Sequence, residues 1–118
     1  MTNKLKQINN TLQDLELELS RTKRKREDLE EVDTFGYTTR NKCDNLFAEI
    51  AHFWKGDTAT RFLNNSYEDT AFKINKLQRD AYQQIEHLAE EERKIKTTIN
   101  TTEDLYYQEK KRLLEEDN

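Results

Sequence analysis

The stretch that decides the fold is Phe53-Trp54-Lys55-Gly56-Asp57, close to the middle of a 118-residue chain. It holds the only Trp and one of two Gly, in a sequence with no Pro. Gly readily takes the left-handed conformation that ends helices, and Asp is a preferred N-cap. Gly56 directly before Asp57 therefore reads as a reversal point, and the residues on either side read as helix. Trp54 is expected on the seam between the two arms, as a packed corner. Phe47, Ile50, Ala59, Phe62 and Leu63 are expected to hold the turn end together with it.

Composition agrees with long helices and excludes much else. Charged residues make up 37% of the chain, against roughly 25% in an average domain. Apolar residues reach only 33%. That balance cannot build a thick globular core, but it suits helices whose apolar residues are confined to narrow seams. Abundant Glu, Lys, Leu and Gln point the same way. A net charge of −4 argues against a dedicated nucleic-acid binder. No apolar run approaches the roughly 20 residues that span a bilayer, so no membrane insertion is expected. The N-terminus lacks the apolar core of a cleavable signal peptide, so the expectation is a protein made in the cytoplasm, whose export would need another route.

Working back from the turn, a seven-residue repeat runs through the first arm. One position reads Leu5, Leu12, Leu19, Arg26, Asp33, Arg40, Phe47, Trp54, and the other Ile8, Leu15, Thr22, Leu29, Gly36, Cys43, Ile50. Both ends of the arm are good seam; the stretch from Thr22 to Arg40 is poor seam. Val32 to Thr39, with its β-branched residues and Gly36, is the obvious place for a break. The register nevertheless survives across it, which favours one helix over about 3–53, on the order of 75 Å long at about 1.5 Å per residue. After a turn at 54–57, a second helix is expected over about 58–115. Its seam reads Leu63, Tyr67, Thr70, Ile74, Leu77, Ala81, Ile85, Leu88, Glu92, Ile95, Ile99, Thr102, Tyr106, Leu113. The step from Ala81 to Ile85 is a stutter, and the last acidic residues are expected to fray.

Folding back at Gly56 brings the basic block Arg21, Lys23, Arg24, Lys25, Arg26 opposite Glu86, Glu90, Glu91 and Glu92. Exposed pairs of this kind are worth only about 0.2–1 kcal/mol each, so they choose register more than they supply stability. The whole chain, 1–118, is thus expected to be a single all-α antiparallel hairpin with coiled-coil-like arms.

Chemistry-bearing constellations are missing from the sequence. His52 and His87 are far apart, without a second ligand at helical metal-site spacing, so metal binding is not expected. Cys43 has no plausible base beside it and reads as a small buried hydrophobe. There is no phosphate loop, nucleophile elbow or acid/base pair, so neither an enzyme nor a cofactor is expected. The basic block is cancelled at once by Glu27, Asp28, Glu30 and Glu31. Phe53, Phe62, Phe72, Tyr82 and Tyr107, together with Leu17, fall off the main seam. One seam cannot bury them all, and small helical domains seldom stabilise themselves with so little core. A second helical pair covering them would give a four-helix bundle, either with another copy or with another protein. Leu17, Phe53, Phe72, Tyr82 and Tyr107 are therefore the candidate partner surface.

Trp54-Lys55-Gly56, followed by Ala59 and Phe62, resembles the WXG-motif family, small helical hairpins handled by type VII secretion systems. The resemblance implies a hairpin that assembles with itself or a partner. Such proteins often carry a Tyr-x-x-x-Asp/Glu export signal near the C-terminus. Here Tyr82 and Glu86 fit that spacing but lie mid-helix, while Tyr106 and Tyr107 are followed four residues on by Lys110 and Lys111. The longer, more charged arms are more similar to the helical partner proteins that accompany LXG toxins in Gram-positive bacteria. That implies an adaptor or targeting chaperone, which binds the toxin's helical N-terminal domain or a second small helical protein and serves its export without a cleavable signal peptide. A self-associating structural coiled coil with no secretion role is the main alternative. A helical nucleic-acid-associated protein using the basic block is a third.

Overall fold

The computed structural model describes residues 3–116, and all of them but the turn are helical. Helix α1 runs Asn3–Phe53 and helix α2 runs Asp57–Glu116, with no strand among the described residues. The fold is an all-α antiparallel hairpin. Helix α1 passes through Gly36 without interruption. Between the helices only Trp54, Lys55 and Gly56 leave helical geometry, and Gly56 carries φ +113°. It is the only described residue with a positive φ. That conformation suits Gly because a Cβ there would be strained. Trp54 N donates to Ile50 O at 2.8 Å and Thr60 N to Gly56 O at 3.0 Å, which tie the turn to both helices. The expected fraying falls partly on Asp117 and Asn118, outside the described residues. Glu115 and Glu116 are helical, and Glu116 accepts from Arg112 Nη1 at 2.5 Å.

The helices form two compact units. One pairs α1 as far as Arg26 with α2 from Glu86; the other is the hairpin Glu27–Ile85 around the turn. In the first unit Leu5, Ile95 and Ile99 are the buried apolar residues, and Thr22, Glu92, Thr102 and Glu109 are the buried polar ones. Helix α2 thus keeps its three-and-four spacing through Glu109. The two threonines satisfy their hydroxyls inside their own helices. Thr22 Oγ1 donates to Glu18 O at 2.9 Å, and Thr102 Oγ1 to Thr98 O at 2.7 Å. They can therefore be buried without leaving a donor unpaired.

In the second unit the buried residues are Gly36, Ala59, Ile74 and Ala81. Three sequence expectations are corrected here. Leu77 is 44% exposed, and its place in the seam is taken by Gln78. A Cβ at Gly36 would lie 2.8 Å from Gln78 Cγ, so the missing side chain on α1 is replaced by a long one from α2. Two four-residue steps in succession, Thr70 to Ile74 to Gln78, therefore place the stutter one layer before Ala81. Trp54, expected as a packed corner, is 43% exposed. The short turn brings the arms too close for an indole between them, and Ala59, 1% exposed, fills that space instead. Cys43 is half-buried rather than buried, because a groove beside Ile74 leaves it partly open.

Candidate protein-interaction surface

Around the turn, Trp54 lies against Phe62 with ring centroids 5.5 Å apart, so the indole touches α2 from outside. Phe62 is itself 53% exposed. Phe47 meets Tyr67 edge-on at 6.3 Å, and Phe47, Ile50 and Leu63 are half-buried. Asp57 opens α2 as its first residue. The turn end is therefore held by Ala59 inside, with aromatic edges wrapped around it.

The candidate partner residues all lie outward. Phe53 is 84% exposed, Phe72 66% and Tyr82 60% in the hairpin unit, and Leu17 51% and Tyr107 65% in the other. On α2, Phe62, Phe72 and Tyr82 are each ten residues apart. At about 3.6 residues per turn that spacing steps around the helix, so they do not form one stripe. On α1 the spacing is different. Phe35, Leu46 and Phe53 are separated by eleven and seven residues, close to three and two full turns, and all three are exposed. Sequence reading found only Phe53 of this group. It followed the seven-residue seam, whereas the outer face of a straight helix follows the 3.6-residue period, and the two drift apart.

Charged groups lie within the pairs and along the helix faces. Arg26 is the member of the basic block that reaches the other helix: its Nε donates to Glu92 Oε2 at 2.5 Å and its Nη2 to Oε1 at 3.4 Å. Arg21, Lys23, Arg24 and Lys25 are exposed. Glu90 and Glu91 pair along their own helix, with Arg93 and with His87 Nε2 at 3.2 Å, rather than across the seam. Towards the end of the same unit, Glu109 is only 5% exposed. Its carboxylate accepts from Arg112 Nη2 at 2.5 Å and lies 3.3 Å from Lys4 Nζ. The hydrogen bond from Arg112 is the main cause holding its pKa down to about 2; partial desolvation opposes it, and Lys4 adds to it. Arg112 is raised in turn, chiefly by the same hydrogen bond. Glu109 is covered by these long side chains rather than sunk in a core, since only two helices line it.

In the hairpin unit Arg40 Nη2 donates to Asn75 Oδ1 and, at 3.3 Å, to Gln78 Oε1. Gln78 Nε2 donates to Asp33 O at 3.3 Å. Arg40 Nε is buried and has no hydrogen-bond partner. Arg40, Cys43, Phe47, Tyr67 and Ile74 line a groove of about 200 Å³. A wider one of about 540 Å³ lies in the other unit, along Lys4, Ile8, Leu105, Gln108 and Arg112.

Among the described residues no three His, Cys, Asp or Glu side chains cluster as a metal site. His52 stacks edge-on against Phe53 at 5.2 Å, and His87 is engaged by Glu91. Tyr82 and Glu86, which fit the export-signal spacing, are both exposed on α2. No described helix is long and apolar enough to cross a membrane.

No family model, no curated protein and no solved structure matches the chain. The likeness to the WXG family rests on Trp54, Gly56, Ala59 and Phe62 themselves.

Proposed function

We propose that this chain is a non-enzymatic adaptor that docks a helical protein and delivers it for export. The cargo class is a toxin with a helical N-terminal domain, of the LXG kind, and the route is a type VII secretion system. One observation carries the docking part: large apolar side chains lie on the outside of both units, while among the described residues no large side chain is fully buried. Such surfaces gain free energy when another helix covers them, at roughly 25 cal/mol per Å² of apolar area buried. Phe72 and Tyr82 of the hairpin unit, and Leu17 and Tyr107 of the other, are the side chains expected to meet the cargo. The exposed charges around them would select partner and register rather than add much affinity. The secretion part is supported by the WXG-like turn and by the Tyr82/Glu86 spacing.

The test is co-expression with the large helical proteins encoded beside it. A stable complex should form, weakened by Phe72→Ser and Tyr82→Ser, and cargo export should fall when the chain is deleted. Unchanged export of every such cargo without this chain would sink the reading.

A further inference from the structure

The geometry points to the groove beside Arg40, in the hairpin unit, as a binding site for a small apolar monocarboxylic acid. This does not rest on the cargo reading above. It rests on an uncompensated cation. Arg40 is half-buried, and its Nη2 donates only to the neutral side-chain amides of Asn75 and Gln78. Its Nε is buried without a partner, and among the described residues no carboxylate pairs with the guanidinium. A guanidinium keeps its charge in proteins, and buried charges are as a rule paired. Arg26, the cross-seam arginine of the other unit, follows that rule with Glu92. Arg40 does not.

The surroundings define what would satisfy it. Cys43, Phe47, Tyr67 and Ile74 line the groove together with Arg40, and Phe47 meets Tyr67 edge-on. A ligand seated here brings a negative acceptor to Arg40 and an apolar body to the other four. Carboxylate is the group whose geometry matches a guanidinium. Nε is closed to water, so the carboxylate meets it when the guanidinium turns from Gln78 into the groove. Asp44 borders the same groove, exposed and without an ion pair. Its charge repels a second negative group, which favours a monoanion over a dicarboxylate or a phosphate. The wider groove of the other unit differs, because its cations Lys4 and Arg112 already hold Glu109.

Size narrows the class further. The groove holds about 200 Å³, below the roughly 300–1,000 Å³ of sites that take drug-sized ligands, so its occupant is a single-ring or branched-chain acid. A ligand this small is held weakly, with a Kd on the order of 1 mM.

Titration of the isotope-labelled chain with benzoate at neutral pH tests this, read by amide NMR shifts and by the rate of Cys43 alkylation. Saturable shifts are expected at Arg40, Cys43, Phe47, Tyr67 and Ile74, with slower alkylation of Cys43. Benzamide has the same ring and no charge, and should produce neither effect. Arg40→Gln should weaken benzoate binding by roughly tenfold or more, since hydrogen bonds to a charged group are lost. Asp44→Asn changes an exposed position and should tighten binding about two- to fivefold. It keeps the test open where Arg40→Gln alters helix content by circular dichroism. No saturable shift at millimolar benzoate, equal binding of benzamide, undiminished binding by a folded Arg40→Gln chain, or no tightening in Asp44→Asn each overturns the proposal. So does inorganic phosphate moving the same resonances as strongly as benzoate, because a bare charge contact would then explain them. Each of these results leaves the cargo reading untouched, since that is judged by complex formation and export.

Discussion

Glu109 is a carboxylate held chiefly by Arg112, one turn along its own helix, and to a lesser degree by Lys4 of α1, so its titration reports mainly on that last part of α2. Its pKa lies near 2 in the folded chain, against an ordinary value of 4.5. The unfolded chain therefore binds the extra proton first as the pH falls. The stabilisation is fully present above about pH 4.5 and is lost as the pH drops towards 2. Thermal melts between pH 2 and 6 should show this slope in the parent chain and a flatter profile in Glu109→Gln. An identical slope in both would mean that Arg112 and Lys4 do not hold the carboxylate. At Trp54 the expectation is smaller than the residue type suggests. A core aromatic costs about 3–5 kcal/mol on truncation to Ala. Trp54 is 43% exposed and touches Phe62 on one side, so Trp54→Ala should cost clearly less than that by urea denaturation.

Within the helices, the layer at Gly36 and Gln78 offers the most direct test of packing. Gly in a helix interior costs about 0.5–1 kcal/mol relative to Ala. Gly36→Ala should recover that amount once Gln78 is also Ala. In the parent chain the new Cβ would meet Gln78 Cγ at 2.8 Å and force the side chain off Asp33 O and Arg40. The double-mutant cycle should therefore show a coupling of about 0.5–3 kcal/mol, and zero coupling would contradict the arrangement. The same layer shows what could be read from the sequence. The hairpin was legible because Gly56-Asp57 punctuates two Pro-free helical patterns, and because the spacing of three and four survives on both sides. Gln78 was not legible: a polar residue next to Leu77 gives no reason to prefer it until the facing residue is known to be Gly36. Glu109 was missed for a related reason, since its burial depends on Lys4, more than a hundred residues away in sequence. The stripe of Phe35 and Leu46 escaped because a heptad reading follows the seam and ignores the outer face. Trp54 was placed on the seam by register alone, but the arms beside a three-residue turn leave room only for Ala59.

For the whole molecule, the balance between thin seams and exposed apolar side chains governs behaviour. Neither unit buries a large side chain completely among its described residues, so each keeps apolar surface facing water. The isolated chain should accordingly bind a hydrophobic dye such as ANS at neutral pH while remaining helical. Dye binding should fall when a bound helical protein covers Phe72 and Tyr82, and when these two are replaced by Ser. A folded chain that binds no dye would mean that these side chains offer no usable surface.

The turn has a consequence that concerns the handedness of the amino acid itself. Gly56, with φ +113°, holds a backbone conformation that suits a mirror-image residue and strains a natural one. A semisynthetic chain with D-Ala at position 56 should be more stable than the parent by about 0.4–1 kcal/mol, through a less free unfolded state. L-Ala there should be less stable by about 1–2 kcal/mol. The two chains have the same composition, so a difference in their melting temperatures would report the hand of one α-carbon.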